Sequence, residues 1–489
     1  MTRQTACRRV AAYAAALLPL LCATSAVAQS DVQVETEALV SKDLPGGPLP
    51  GGHPGPPGAP QTFRWTEDWS AEPAPDASLV DKIRHIPLGP SDTYLSIGGE
   101  VRTYYTDWRH STLGVLPNDN NDPLQLRLRL LADLHLGTHV RAFVELGDNR
   151  EFGGNLVTPP NRDKLDVQQA FVDLTLPLGD AGQVTLRPGR FEMPLGNGKL
   201  VGLREGLDTR FTYQGVRATY ILPGTVTVDM FAVRPVNLKP GSLDDGPSHA
   251  SSFGGVYVSI PRGVLGLGTD VYWYKVNRNT AVLAQGTGED HRNNWGVRLW
   301  RQTAHWDLDL EGNYQSGTFA ETDISAWAVL FEGGFTFAEM SLQPRLGLRA
   351  NIFSGDRDQK DGKAGTFVAA FPRLPVISEA AFFNLSNLMD LYPSVTFNPR
   401  KGVTVMVGPD FLWRNSRGDG IYLGSTNASF AAYKSSRFTG TDLNLEAAWQ
   451  ATKRLELRLF ETYFAASSSF ARDRGKNGNY VGLQSDYRF

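Results

Sequence analysis

The sequence predicts an all-β fold, a transmembrane antiparallel up-and-down β-barrel of about 18 strands. Three observations predict it. Apolar and polar residues alternate over unusually long stretches, the connections between these stretches alternate between short and long, and an export leader is followed by no run approaching the ~18 apolar residues of a membrane helix. At 41% hydrophobic and 20% charged residues, the 489-residue chain is too apolar to be disordered and too polar for a bundle of membrane helices.

The leader comes first in the chain. Arg3, Arg8 and Arg9 form a positive start, Val10 to Ala23 is mainly apolar, and Ala26-Val27-Ala28 precedes Gln29. This is the pattern of a signal peptide over residues 1–28, cleaved near Ala28-Gln29. Cys22 follows Pro19-Leu20-Leu21, which lacks the Leu at −3 and small residue at −1 of a lipidation site. Both cysteines, Cys7 and Cys22, lie in the leader, so the mature chain is expected to have no disulfide, thiolate metal site or cysteine nucleophile. Losing three arginines takes the net charge from −3 to −6 and leaves no basic footprint, so nucleic acid is not an expected partner.

Residues 29–90 read as a Pro/Gly-rich periplasmic tether. The run Pro45-Gly46-Gly47-Pro48-Leu49-Pro50-Gly51-Gly52 and its continuation Pro54-Gly55-Pro56-Pro57-Gly58 cannot build a packed core. Trp65 and Trp69 are candidates to anchor its far end. Residues 91–489 are assigned to the barrel.

From Tyr94 onward the period is two. Leu124, Leu126, Leu128, Leu130, Ala132, Leu134 and Leu136 fall on one face, with Gln125, Arg127, Arg129, Asp133 and His135 on the other and Leu131 as the one apolar exception. Thirteen alternating residues exceed the usual 5–6 of a globular strand and suit a tilted membrane strand with an apolar lipid face and a polar lumen. Val140 to Leu146, Ala170 to Leu176, Leu346 to Ala350 and Val481 to Tyr487 repeat the pattern. Short connections fall near 137–139, 177–181, 223–224, 261–265, 302–304, 338–340, 398–401 and 451–453. Longer polar ones fall near 108–121, 150–165, 194–210, 235–249, 277–291, 316–322, 355–380, 415–436 and 466–478, which together imply eighteen strands. The stretch near 381–397 is interrupted by Pro393 and by Asn384 to Asn387. Tyr104, Tyr105, Trp108, Tyr272, Trp273, Tyr274, Trp413 and Tyr463 lie toward the long loops, as an aromatic girdle would. A soluble sandwich or propeller would have shorter strands and less regular connections.

Strand parity places Arg102, Arg127, Arg129, Arg141, Arg217, Arg298, Arg345, Arg349, Arg414, Arg458 and Arg488 on the non-lipid face. Arg190 and Arg204 stand at strand–loop boundaries. A charge on the lipid face near the midplane costs ~2–4 kcal/mol, so energetics and pattern agree. Arginine stays charged and holds a carboxylate at two points, and rings of such groups select anions. The same parity puts Glu100, Asp133, Glu145, Asp173, Asp309, Glu311, Asp442, Glu446, Glu456 and Asp486 inside, a counterweight that can neutralise the arginines across neighbouring strands. Arg127 with Arg129, and Arg345 with Arg349, double the charge on one strand and are the first choices for anion contact.

Several stretches resemble the alginate export family of outer-membrane barrels: Ser96-Ile97-Gly98-Gly99-Glu100-Val101-Arg102, Arg187-Pro188-Gly189-Arg190-Phe191-Glu192 and Trp295-Gly296-Val297-Arg298-Leu299-Trp300. The most specific is Ser354-Gly355-Asp356-Arg357-Asp358-Gln359-Lys360-Asp361-Gly362 with Thr366-Phe367 and Phe371-Pro372. Phe411-Leu412-Trp413-Arg414 and Asp486-Tyr487-Arg488-Phe489 complete a resemblance running from Leu95 to Phe489. It implies an eighteen-stranded barrel whose arginine-bearing lumen passes an anionic polysaccharide outward. Lys199, Gln214-Gly215 and the Pro/Gly tether depart from the family pattern.

Other motifs carry less. The loop from Asp356 fails the calcium-loop template, with Asp361 where glycine belongs and Phe367 where the closing glutamate should be. Gly196-Asn197-Gly198-Lys199 is too short for a phosphate loop. Arg417-Gly418-Asp419 is a tripeptide that chance supplies. His110-Ser111 and Ser248-His249 lack an orienting partner, and His135 and His139 only flank a tight turn, so neither an enzyme nor a bound metal is expected. No cofactor is implied.

The expected function is an outer-membrane channel, in the cell outer membrane of a Gram-negative bacterium, exporting an alginate-like polyuronate. The alternatives are a general or uptake porin for small anions or oligosaccharides, and a plugged outer-membrane receptor. Expected partners are an anionic polysaccharide or oligosaccharide, outer-membrane lipid and lipopolysaccharide, and periplasmic export proteins near the tether.

Overall fold

Between Leu124 and Leu136 burial is the reverse of that in a soluble protein. Arg127 and Asp133 are buried, whereas Leu128, Leu130 and Leu136 are exposed. A sheet with one charged and one apolar face buries the charged one by closing on itself, which leaves the leucines outside. The structure, a computed structural model, describes residues 58–90, 92–156, 158–373, 375–424, 429–430 and 436–489. The expected leader, both cysteines and the Pro/Gly run as far as Pro57 lie outside the described residues.

Eighteen long strands follow one another around the wall. They are β1 (Thr93–Arg109), β2 (Leu124–Leu136), β3 (Val140–Phe152), β4 (Asp163–Pro177), β5 (Gln183–Phe191), β6 (Tyr213–Leu222), β7 (Val226–Asn237), β8 (Ser251–Ile260) and β9 (Gly268–Leu283). The second half is β10 (Gly286–Gln302), β11 (Trp306–Phe319), β12 (Thr322–Thr336), β13 (Arg345–Phe353), β14 (Met389–Arg400), β15 (Val403–Trp413), β16 (Phe438–Gln450), β17 (Leu455–Ala466) and β18 (Gly478–Arg488). Each pairs antiparallel with its neighbours, and β1 meets β18 from Glu100↔Arg488 to Arg109↔Asn479, so the sheet closes. Outside, Val144, Val172, Val216, Val271 and Val329 continue the exposed apolar band.

Three expectations are corrected. The connections expected at 277–291 and 316–322 are tight turns, because β9–β10 stay paired to Leu283↔Gly286 and β11–β12 to Phe319↔Thr322. A ladder continues wherever backbone groups find partners, whatever the polarity of the side chains. The strand expected near 381–397 starts at Met389. Within it Pro393 stands level with Pro409, two residues without an N–H, and the β14–β15 ladder pauses between Leu391↔Phe411 and Val395↔Val407. The aromatic girdle is thinner than expected. Tyr105 and Trp273 are exposed, but Tyr104, Tyr272 and Tyr274 are buried, since successive residues of a strand point to opposite faces.

The apolar core lies within the lumen, where three segments fold inward. One is the stretch around Trp65, which joins Leu131, Phe143, Phe171 and Phe191 in one buried cluster. The other two are the connections 192–212, which brings in Met193 and Leu195, and 354–388, which brings in Phe367, Phe371, Phe382 and Phe383. Leu131, the apolar exception of β2, is explained by this cluster. Two glycines of the Ser96–Arg102 motif stand at close approaches on opposite faces of β1: inside, a Cβ on Gly98 would lie 1.8 Å from Arg84 Nη1, and on the other face one on Gly99 would lie 2.6 Å from the Phe489 ring.

Candidate functional site

The inner wall carries arginines at successive strand positions, and they fall into groups by what they meet. Arg102 donates to Glu205 O at 2.7 Å and Asp208 Oδ1 at 2.7 Å. Arg127 donates to Glu100 at 2.7 Å and Glu205 at 2.6 Å, and Arg129 to Asp208 O at 2.7 Å. This group holds connection 192–212 inside the barrel. Against the cost of burial, Arg127 and Arg210 keep the Glu205 carboxyl well below the usual carboxylate range. Arg204 is in the same connection, left-handed at φ 60°, stacked over Phe211 and bonded to Thr209 O.

A second group pairs along the wall. Arg141 grips Asp133 at 2.7 and 2.8 Å, Arg187 grips Asp173 at 2.6 and 2.7 Å, and Arg217 meets Asp229 at 2.8 Å. Arg298 sits fully buried between Asp270, at 2.8 Å, and Asp309. Arg190 donates to Val167 O and Asp245 O, and Arg414 to Ser436 O. Lys199 pairs with Glu332 at 2.8 Å. Arg488 reaches Glu100 at 3.4 Å across the seam.

The remaining arginines line a cavity between the β12–β17 wall and the inward loop. Arg345, Arg349, Arg373 and Arg458 contribute guanidinium groups, against the carboxylates of Glu332 and Glu446. Arg345 is clamped by Asp307 at 2.7 and 2.8 Å. Arg349 bridges Asp390 at 3.0 Å and Asp410 at 2.5 Å, lies over Tyr392 and donates to Ile377 O, which ties the loop to the wall. Arg458 is looser, 3.7 Å from Glu456 and 4.0 Å from Glu446. Arg345 and Arg349 already hold carboxylates of the wall, and Arg458, with the longest ion pairs of the lining, is the guanidinium group best placed to take up a carboxylate from the cavity.

Of the first choices made from sequence, Arg345 and Arg349 thus reach the cavity, whereas Arg127 and Arg129 are spent on connection 192–212. Parity could not find Arg373, which lies in a loop just after the Phe371-Pro372 motif, nor Arg210 in connection 192–212. Asp356, the first aspartate of the most specific motif, accepts the N–H groups of Asp358 and Gly365, and its own N–H goes to Asp419. That motif and Arg417-Gly418-Asp419 therefore dock two long loops together. Among the described residues, Asp163, Asp166 and Asp245 bring carboxylate oxygens within 4.8 Å of one another. Asp166 accepts the N–H groups of Asp244 and Asp245 there, with Arg190 3.6 Å away, so the triad clasps the β7–β8 loop to β4.

The model of the family described as Alginate export matches residues 93–484, most of the chain and all but the ends of the barrel. The chain belongs to the alginate export family. No curated protein matches this family member. Among solved structures it is similar in fold to the outer membrane protein OprD from Pseudomonas aeruginosa, at 14% identity and TM-score 0.52, covering 81% of this chain and 94% of that one. OccK9 (OpdG) of the same organism matches at 13% identity and TM-score 0.53, over 81% and 98%. OccD3 (OpdP), also of Pseudomonas aeruginosa, matches at 13% and 0.52, over 81% and 91%. Family and fold are of the channel type rather than of an enzyme.

Proposed function

We propose that this alginate export family member is an outer-membrane channel of a Gram-negative bacterium, passing an anionic polysaccharide or oligosaccharide outward through its arginine-bearing lumen. The substrate class is an alginate-like polyuronate. The observation that carries the reading is the cavity of Arg345, Arg349, Arg373 and Arg458 beneath the inward loop. It lies toward the end of the short turns, where β13 begins and β14 ends. A uronate chain arriving there meets guanidinium forks first and the loop carrying Ile377 above them. Transport is passive, driven by a gradient or by polymer synthesis, and the exposed valines and leucines of the wall face lipid and lipopolysaccharide.

A second reading is a general or uptake porin for small anions. It is favoured by the pairing of most inner arginines with carboxylates, which weakens the field a polymer would feel, and by the fold likeness to OprD. Single-channel conductance of the refolded protein in a planar bilayer under a salt gradient separates the two. An anion-selective reversal potential with concentration-dependent block by oligouronate supports export of a polyuronate. Conductance without selectivity or block favours the porin, and a folded but silent barrel favours a plugged receptor.

A further inference from the structure

The N-terminal stretch ahead of β1 runs inside the barrel. Arg84 lies over Trp69, and His85 stacks on Tyr94 near the beginning of β1, at the short-turn end. Arg64, further in, donates to Gly99 O at 2.7 Å and Phe489 O at 2.9 Å. From Thr93 to Gly99 the strand advances about 20 Å at ~3.3 Å per residue, which at the usual tilt of barrel strands is a depth of about 15 Å. Trp65 is 2% exposed, with its indole N–H donating to Glu192 and its ring 5.1 Å from the Arg187 guanidinium. Arg141 donates to Trp65 O at 2.8 Å and Arg210 to Thr62 O at 3.0 Å.

We propose that Gln61–Glu67 is a displaceable stopper that closes the lumen from the short-turn end, and that its departure hands Arg141, Arg187 and Arg210 to the carboxylates of the passing polymer. Two features distinguish a stopper from permanent lining. The three arginines already have carboxylates outside the segment, Asp133 and Asp173 on the wall and Glu205 in connection 192–212, so none of them needs the segment for neutrality. What the segment offers them is carbonyl oxygens and an aromatic face, ligands that a uronate chain replaces with carboxylates and sugar rings. The one carboxylate of the segment, Glu67, is held by Arg64 and Arg84 of the same N-terminal stretch, so leaving strands no charge on the wall. Gly98 keeps the inner wall flat where Arg84 of the stretch lies against it.

The polymer half of this inference rests on the proposed function, and the stopper half does not. With both cysteines confined to the expected leader, paired cysteines can be placed cleanly in the mature chain. Thr62→Cys with Phe211→Cys, bridged by a reducible bifunctional thiosulfonate, is expected to abolish KCl conductance in planar bilayers, and reduction to restore it. Deletion of residues 58–69 is expected to raise KCl conductance and to speed block by oligouronate. Equal conductance in the bridged and reduced protein would overturn the stopper, even if the deletion variant fails to fold. A stopper that passes these tests in a channel indifferent to oligouronate refutes the polymer half alone.

Discussion

At the scale of single residues, the inner arginines differ in how much of their charge is already used. Arg349 is bonded to Asp390 and Asp410, with Asp442 close by in the same buried acidic group. Arg349→Gln leaves those carboxylates without their cation, and removing one partner of a buried pair costs about 3–5 kcal/mol. Heat-dependent migration of the refolded barrel on a gel should therefore collapse at markedly lower temperature. The ion pairs of Arg458 with Glu456 and Glu446 are long, 3.7 Å and 4.0 Å, so Arg458→Gln should lower the melting temperature of the barrel less than Arg349→Gln does. It should instead weaken oligouronate block by about tenfold, the worth of one charge-assisted hydrogen bond. Unchanged block in that variant would count against the cavity as the contact site. Asn387 is a different case. It is 2% exposed, left-handed at φ 49°, and its amide accepts from Ser416 N while donating to Ser416 O and Gly420 O. Asn387→Ala should cost about 2 kcal/mol or more and make the 354–388 loop susceptible to limited proteolysis.

At the scale of elements, the loops are held by side chains whose protonation matters. Burial and the neighbouring Asp166 push the Asp245 carboxyl up to about 6, against the bond it accepts from Lys239 N. An ordinary aspartate titrates near 4, so between about pH 4 and 6 the folded loop keeps a proton the unfolded chain has lost. This contribution to loop docking is present below about pH 4 and lost as pH rises through about 6. Hydrogen exchange at the Asp244 and Asp245 amides, corrected for intrinsic rates, should be more protected at acid than at neutral pH. Asp245→Asn should remove the difference. The strands themselves were legible from the period of two, because each side chain in a closed sheet meets either the lumen or the outside. The lengths of β9 to β12 were not. Their ends are decided by backbone pairing past the apolar band, in polar residues such as Asn277 and His291 that composition assigns to loops.

At the scale of the whole molecule, closure depends on the seam between the first and last strands. Gly99 and Phe489 exchange backbone hydrogen bonds at 2.8 and 2.9 Å, and a Cβ at Gly99 would meet both Arg129 O and the Phe489 ring at 2.6 Å. Gly99→Val should therefore prevent formation of the heat-resistant barrel, whereas an exposed wall change such as Val101→Leu should leave it intact. A normally closing Gly99→Val barrel would show that the seam has slack the geometry does not reveal.

The sequence by itself determined the class of fold, the number of strands and the sidedness of those that alternate cleanly. These follow from local alternation, and a one-residue slip would turn every charge to the wrong face. It also placed the arginines on the inner face. What only the tertiary structure decided is which of them face open space. Arg127 and Arg129 look the same in sequence as Arg345 and Arg349, yet one pair is closed over by connection 192–212 and the other borders a cavity. The difference comes from segments far away in the chain, Trp65 and Glu205 among them, folding back into the lumen. Alternation is a property of neighbours along a strand, and it carries no record of what crosses the barrel to meet them.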